Sequence, residues 1–517
     1  MYSANSNIVF VFIAFLSLII LTGCDSFLRN KKGIVWNTYM DEIGSFSSLR
    51  TADLNNDGVL DIVMGAGGRE NNPTDTAVLA LDGANGKLLW VVPGVNQMVG
   101  SAIFKDINND QVPDVFIGGR WSELFSINGK NGEIIWRFLP ERTHPNPADS
   151  GWYNFTTPQF VFDQDLDGIE DLLISNGGDP YAPPNNPNRP AGRLLVMSSK
   201  TGKILAQAEV PDKKETYLSV ICADIENSGV LSIIFGTGGE TIGGNLYRTT
   251  LNDLLKGDIS QAKVLASYEN KGFVAAPVLV DVTLDGIYDI IANAVDGEML
   301  AIDGSNDSLI WKVSIPGTEA YASPAIGYFN GDSIPDFFTN YGIGVYPLIY
   351  KSLQFMVDGK TGQIQFRDTI GRFQYTSPIV ADLNNDGFDD ALLNICHQEM
   401  NRIYEDVFTS HLLAIDFHND NKRIAMGDTL NGINNGTTPW AGDLDMDGKL
   451  DILYSNVNFK KIRVTFEKPR GMDIVLYKTN IDIKKPIVWG AYLGSAYNGI
   501  FPMTAKRIKN LTQAREF

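Results

Sequence analysis

Cysteine and histidine are scarce in this 517-residue chain, with three of the first and four of the second. Without a CxxC pair or a Cys/His cluster there is no ligand set for zinc, and without CxxCH no haem attachment. Cys222, in LSVICAD, and Cys396, in ALLNICHQ, lie before and after acidic loops of different repeats, so two buried free thiols are expected rather than a disulfide. His144, His397, His411 and His418 form no recognisable catalytic motif. Positive charge is also short. Lys and Arg number 42 against 61 Asp and Glu, a formal charge of −19, which argues against a nucleic-acid partner. Ile8–Leu21, 14 apolar-rich residues, is too short for an ordinary spanning helix and right for the core of a signal peptide.

That run ends in LTGC at 21–24. The tetrapeptide resembles the lipobox of bacterial lipoproteins, although the preceding MYSANSN lacks Lys and Arg. The resemblance implies a signal peptide over 1–23 and a lipidated Cys24 as the mature N-terminus. It also implies a membrane-anchored protein of the bacterial cell envelope, facing the periplasm or the cell surface. Residues 24–32 would be a linker of at most ~30 Å, keeping the body near the membrane.

Acidic residues, by contrast, are concentrated. The stretch DLNNDGVLD at 53–61 puts Asp53, Asn55, Asp57 and Asp61 at positions 1, 3, 5 and 9, with Gly58 at position 6. In a tight loop these side chains converge with the carbonyl of position 7 into an all-oxygen set that suits Ca²⁺, and glycine permits the turn. Seven relatives follow: DINNDQVPD at 106, DQDLDGIED at 163, DIENSGVLS at 224, DVTLDGIYD at 281, YFNGDSIPD at 328, DLNNDGFDD at 382 and DLDMDGKLD at 443. Their starts lie 53, 57, 61, 57, 47, 54 and 61 residues apart, the signature of a repeat architecture. Positions 1, 3, 5 and 9 hold 24 of the 61 acidic residues, so the negative charge belongs largely to these loops.

The candidate metal ligands are Asp53, Asn55, Asp57, Asp61; Asp106, Asn108, Asp110, Asp114; Asp163, Asp165, Asp167, Asp171; Asp281, Asp285, Asp289; Asp382, Asn384, Asp386, Asp390; and Asp443, Asp445, Asp447, Asp451. Five loops fit the pattern fully or nearly so, those starting at Asp53, Asp163, Asp281, Asp382 and Asp443. The Asp106 loop has Gln111 in place of glycine, the Asp224 loop has Ser228 and Ser232 in place of acids, and one loop begins with Tyr328. About five or six Ca²⁺ ions are expected. An EF-hand is excluded by register, since position 12 counted from Asp53 is Met64 rather than Glu.

Between loops each repeat offers four short strands, as in DIVMGAG, AVLALDGANG, KLLWVV and GSAIFKD. A four-stranded antiparallel unit of about 50 residues is a propeller blade. Hairpin turns recur in LDGANGKLLW, INGKNGEIIW, SSKTGKILA, IDGSNDSLIW and VDGKTGQIQF, and the aromatics closing four of them, Trp90, Trp136, Trp311 and Phe366, are expected to fill space between blades. The acidic loops resemble those of FG-GAP (VCBS-type) repeats, and the DGxxGxxxW turns resemble PQQ-like quinoprotein blades. Together these resemblances imply an all-β, eight-bladed propeller over 33–495 with a tail at 496–517. GIVWNTYM at 33–40 is expected to complete the last blade. The alternative is seven blades plus an extra C-terminal β element, because KPIVWGAYLGSAYNGIF also carries a Trp strand. PQQ is not expected, since the adjacent Cys pair of many alcohol dehydrogenases is missing.

Strand alternation puts the acidic loops and DGxxG turns on one face, and the second-to-third connections and blade links on the other. The longest connections belong to the second set, including 139–158, 178–193, 340–352 and 396–411. Loops on a rigid scaffold carry binding. The candidate binding face is therefore Arg120, Trp121, Trp152, Tyr153, Tyr181 and Arg193, for a protein or glycan partner. A binding or scaffold module is the favoured reading. The alternative is an enzyme on the same propeller, a carbohydrate lyase or hydrolase or a quinoprotein-like oxidoreductase.

Overall fold

The computed structural model describes residues 31–140, 152–179, 186, 189–218, 220–346, 348–372, 375–400, 406–434, 436–459 and 468–503. The signal segment and Cys24 lie outside the described residues.

Each repeat folds as an antiparallel sheet of four strand positions, the innermost split in two in blades 3 and 6, and eight sheets make an eight-bladed β-propeller. Blade 1 is typical, with strands Arg50–Ala52, Asp61–Gly65, Thr74–Leu81 and Leu88–Gly94 from the axis outward. Its second strand is buried at every position because both faces pack against other blades, whereas the fourth alternates buried and exposed residues. The N-terminal strand Lys31–Asp41 pairs with Pro469–Asp482 and completes blade 8, which excludes the seven-blade arrangement. Closing the ring in this way covers the edge of Pro469–Asp482 with the chain's first strand.

The recurring turns and aromatics form one lock. The indole Nε1 of Trp36, Trp90 and Trp311 donates to the carbonyls of Gly83, Gly129 and Gly359 in the next blade, at 2.9, 2.7 and 2.8 Å. The second glycine of the motif lies under the ring. Gly86 and Gly132 have φ of +71° and +76°, and a β-carbon there would come within 2.6 and 2.8 Å of Trp36 and Trp90. The DGxxG spacing is thus set by positive φ and by the neighbouring blade's tryptophan together. Nearer the axis, a belt of hydroxyls links blades. Thr438 N donates to Ser48 Oγ, Ser48 N to Ser101 Oγ and Ser101 N to Thr157 Oγ1, at 3.2, 3.1 and 2.9 Å.

Three features depart from the plain repeat. Blade 4 replaces its outer hairpin turn by a short helix, Leu251–Leu255, capped by Thr250. Of 396–411, expected as a loop, the described residues instead extend blade 7 as paired strands, Asp390–Met400 with Asp406–Asp416; blade 8 has a matching extension, Lys449–Phe459 with Pro469–Asp482. The third is the segment 487–501, which enters the central channel. Val380 N donates to Trp489 O (2.9 Å), Ala441 N to Gly490 O (2.7 Å) and Leu279 N to Gly499 O (2.9 Å), in blades 7, 8 and 5. Arg50, fully buried in blade 1, donates to Tyr492 O at 2.7 Å and lies 3.9 Å over the Tyr497 ring. Innermost strands present unpaired N–H groups to the channel, and this plug satisfies them where water is excluded. Trp489, Ala491, Leu493 and Phe501 are all buried. Among the described residues no helix is long and apolar enough to cross a membrane.

Candidate functional site

On one face lie the acidic loops. Their ninth residue is a structural clip: Asp61 accepts from Leu54 N at 2.8 Å and from Gly83 N at 3.0 Å, tying its loop to the DGxxG turn, and Asp114, Asp289 and Asp336 repeat the arrangement. That hydrogen bond places loops and turns on the same face. Burial pushes the carboxyls of Asp61, Asp114 and Asp289 up to about 6.

The first residue separates the loops. In Asp53, Asp382 and Asp443 one carboxylate oxygen accepts the glycine N–H at position 6 (3.1, 3.0 and 3.0 Å), and the other is buried with no hydrogen-bond partner among the described residues. Both oxygens are used in Asp106, by Asn109 and Gln111 N, and in Asp224, by Ser228 and Gly229 N. Gln111 holds φ of +69° where glycine is the rule. Three carboxylates converge in two loops, Asp163 with Asp165 and Asp167, and Asp443 with Asp445 and Asp447. In the last, Lys478 Nζ also reaches in, bonded to Asp445 and 3.8 Å from Asp451.

The opposite face is concave. Because the plug closes the channel from below, the funnel above it becomes a blind cup of about 540 Å³ with Tyr492 at its floor. Its wall comes from blade links and second-to-third connections. Of the six residues expected on this face, Arg120 lines the cup, bound to Glu70 at 2.5 Å. Trp121 sits beside it in a tight turn at φ of +62°. Trp152 packs 5.5 Å from Phe138, with Arg193 stacked 5.2 Å from its ring, and neither lines the cup. Tyr153 is 2% exposed, packed in the scaffold, and offers no surface. Tyr181 lies outside the described residues.

What the cup gathers instead is tyrosine. Tyr217, Tyr321, Tyr346, Tyr375 and Tyr492 line it with Glu240. Tyr321 and Tyr375 meet edge to face at 5.3 Å. Both occupy a Tyr-x-Ser-Pro stretch, at 321–324 and 375–378, at the start of an inner strand, and that repetition was a readable signal. Arg189 is held at 3.0 Å by Glu215, which burial pushes up to about 7 against the guanidinium's opposing pull. Lys271 bonds Glu319 at 2.7 Å, and the Tyr321 hydroxyl donates to the same carboxylate at 2.7 Å. Beside the rim Val345, Leu348 and Tyr350 are exposed. The two remaining cysteines are free thiols, and burial pushes both up to about 12.

The sequence profile of the FAM234A/B β-propeller matches residues 36–386. Mouse protein FAM234B is 23% identical over 382 residues, covering 66% of this chain and 55% of its own length; for human FAM234B the values are 22%, 358 residues, 62% and 52%. The chain thus spans about half the length of these relatives. Solved structures with this architecture include a quinohemoprotein alcohol dehydrogenase from Pseudomonas putida HK5 (TM-score 0.51, 11% identity, 88% of this chain and 78% of that one). A europium-containing methanol dehydrogenase gives 0.52, 11%, 87% and 93%, and a rhamnogalacturonan lyase from Bacillus licheniformis 0.51, 12%, 90% and 78%. At such identities the likeness is one of fold alone.

Proposed function

We propose that this chain, which belongs to the FAM234A/B β-propeller family, is a calcium-stabilised binding or scaffold module, held in a bacterial envelope membrane by a lipid on Cys24, that receives a protein or glycan partner at its cup. The observation carrying this reading is the plug, which turns a through-channel into a blind, aromatic-lined cavity on the face opposite the acidic loops. A photo-crosslinking residue at Tyr346, on the rim, should trap a partner in envelope membranes, while the same residue at Asp57 should not. Equal trapping at both positions would overturn the reading.

Calcium follows from the FG-GAP-like loops. Among the described residues Asp53, Asp382 and Asp443 each keep a buried carboxylate oxygen without a hydrogen-bond partner, a donor that suits a hard cation. Bound there, Ca²⁺ would neutralise converging carboxylates and fix the loop between the first and second strands.

A further inference from the structure

Glu240 stands apart from the other charges of the cup. Of the charges lining the cup, Arg120 is matched by Glu70 and Arg189 by the adjacent Glu215, and Asp179 is buried and engaged; just outside it Lys271 is matched by Glu319. Among the described residues no hydrogen bond or ion pair engages the Glu240 carboxylate, whose side chain is half-buried at the tip of the glycine-rich loop TGGETIGG at 237–244. The loop is built to present it. Gly238 has φ of +78°, and a β-carbon on Gly244 would lie 1.9 Å from Thr237 O, so both arms of the turn press together. Around the carboxylate stand the aromatic walls. Its negative charge is felt by Tyr217, Tyr321, Tyr346 and Tyr375, each of whose phenols is held above its ordinary pKa with burial as the first cause, and so stays neutral at physiological pH.

Among the described residues an anionic ligand would meet this carboxylate without a free cation to offset it: Arg120 and Arg189, the basic residues lining the cup, are already paired. Neutral phenol rings offer negative faces to a cation, and a carboxylate among them supplies the counter-charge. We propose that the cup is an aromatic cage for an alkylammonium group, with Glu240 as counter-ion and Tyr217, Tyr321, Tyr346, Tyr375 and Tyr492 as walls. This rests on the cup being the binding site and specifies the chemical group that a partner inserts there.

Choline is the direct probe, and its neutral carbon isostere 3,3-dimethylbutanol is the control, because the two share shape and differ in charge. Titration of the full-length chain by calorimetry should show choline binding at least about tenfold tighter than the isostere. Glu240→Gln, which keeps size and removes charge, should weaken choline about tenfold and leave the isostere unchanged. Tyr321→Ala and Tyr375→Ala should each weaken choline several-fold, with melting curves checking the fold and Tyr321→Phe, which keeps the ring, retaining most affinity. Equal affinity for probe and isostere, indifference to Glu240→Gln, or no choline binding up to ~20 mM would overturn the ammonium assignment. If that happens while crosslinking from Tyr346 still traps a partner, the cup survives as a binding site and only its chemistry is wrong. If crosslinking fails as well, both fall.

Discussion

Replacing Trp36 by alanine strikes the ring where the chain's two ends meet. Trp36 is 9% exposed, donates to Gly83 O at 2.9 Å, and lies against Gly86 of blade 1. Its own strand, Lys31–Asp41, belongs to blade 8 through pairing with Pro469–Asp482, so this side chain fastens the last blade to the first. A tryptophan buries roughly 200 Å², which at about 25 cal/mol per Å² is worth up to ~5 kcal/mol. Residual burial in the unfolded chain lowers that figure, and a stranded carbonyl adds about 1 kcal/mol. Urea denaturation should therefore show a loss of about 3–5 kcal/mol for Trp36→Ala, against about 1–2 kcal/mol for Trp36→Phe, which keeps most of the area. Trp90→Ala, the same lock between blades 1 and 2 with its bond to Gly129 at 2.7 Å, is the matched control. Only Trp36→Ala should free the first strand, seen as faster amide exchange over 31–41 at urea concentrations below the unfolding transition. A loss under ~1 kcal/mol, or exchange over 31–41 no faster than wild type, would mean that Trp36 does not lock the ring.

Four further outcomes are expected. Chelation should lower the melting temperature, since with dissociation constants of roughly 10⁻⁴–10⁻³ M about 1 mM Ca²⁺ contributes about 0.4–1.4 kcal/mol per site; an unchanged curve after verified metal removal would refute calcium stabilisation. The chelated protein should also lose stability as pH rises from 4 towards 7. Asp61, Asp114 and Asp289 are pushed up to about 6 by burial, so the fold favours their protonated form, and its contribution disappears as pH passes through about 6. A chelated protein whose melting temperature is flat or rising over that range would contradict this. Trp489→Ala, in the plug at 2% exposure, should cost about 3–5 kcal/mol in urea, and a cost under ~1 kcal/mol would show that the plug is not part of the core. Cys24→Ser should release the protein from membranes or leave it unprocessed, and persistent fatty-acid labelling of the variant would remove Cys24 as the attachment site.

The blades were legible because their determinants are local and repeated. An Asp-rich turn, a DGxxG hairpin and a closing tryptophan recur every 50–60 residues or so, and each is needed wherever it occurs. Trp36 before the first acidic loop likewise announced a fourth strand without a blade of its own. The plug was not legible. KPIVWGAYLGSAYNGIF reads as a strand, yet Leu493 and Tyr497 turn at φ of +60° and +62°, and its partners are the inner strands of distant blades. The cup was hidden for the same reason. Tyr217, Glu240 and Tyr346 come from three connections and Tyr492 from the plug, with no common motif, and only ring closure brings them together. Tyr153 misled because its Trp-Tyr-Asn setting suggests a surface loop, whereas the chain turns there into the first strand of blade 3 and buries the ring.

The most direct measurement compares what envelope extracts leave on three immobilised full-length proteins, read by mass spectrometry: the unaltered chain, a cup variant combining Glu240→Gln with Tyr375→Ala, and a loop variant combining Asp57→Asn with Asp386→Asn. Partners enriched on the unaltered chain and on the loop variant at saturating Ca²⁺, but lost from a cup variant of unchanged melting temperature, are the predicted result. Enrichment retained by the cup variant, or lost only from the loop variant, would place recognition on the other face and contradict the cup as the functional site.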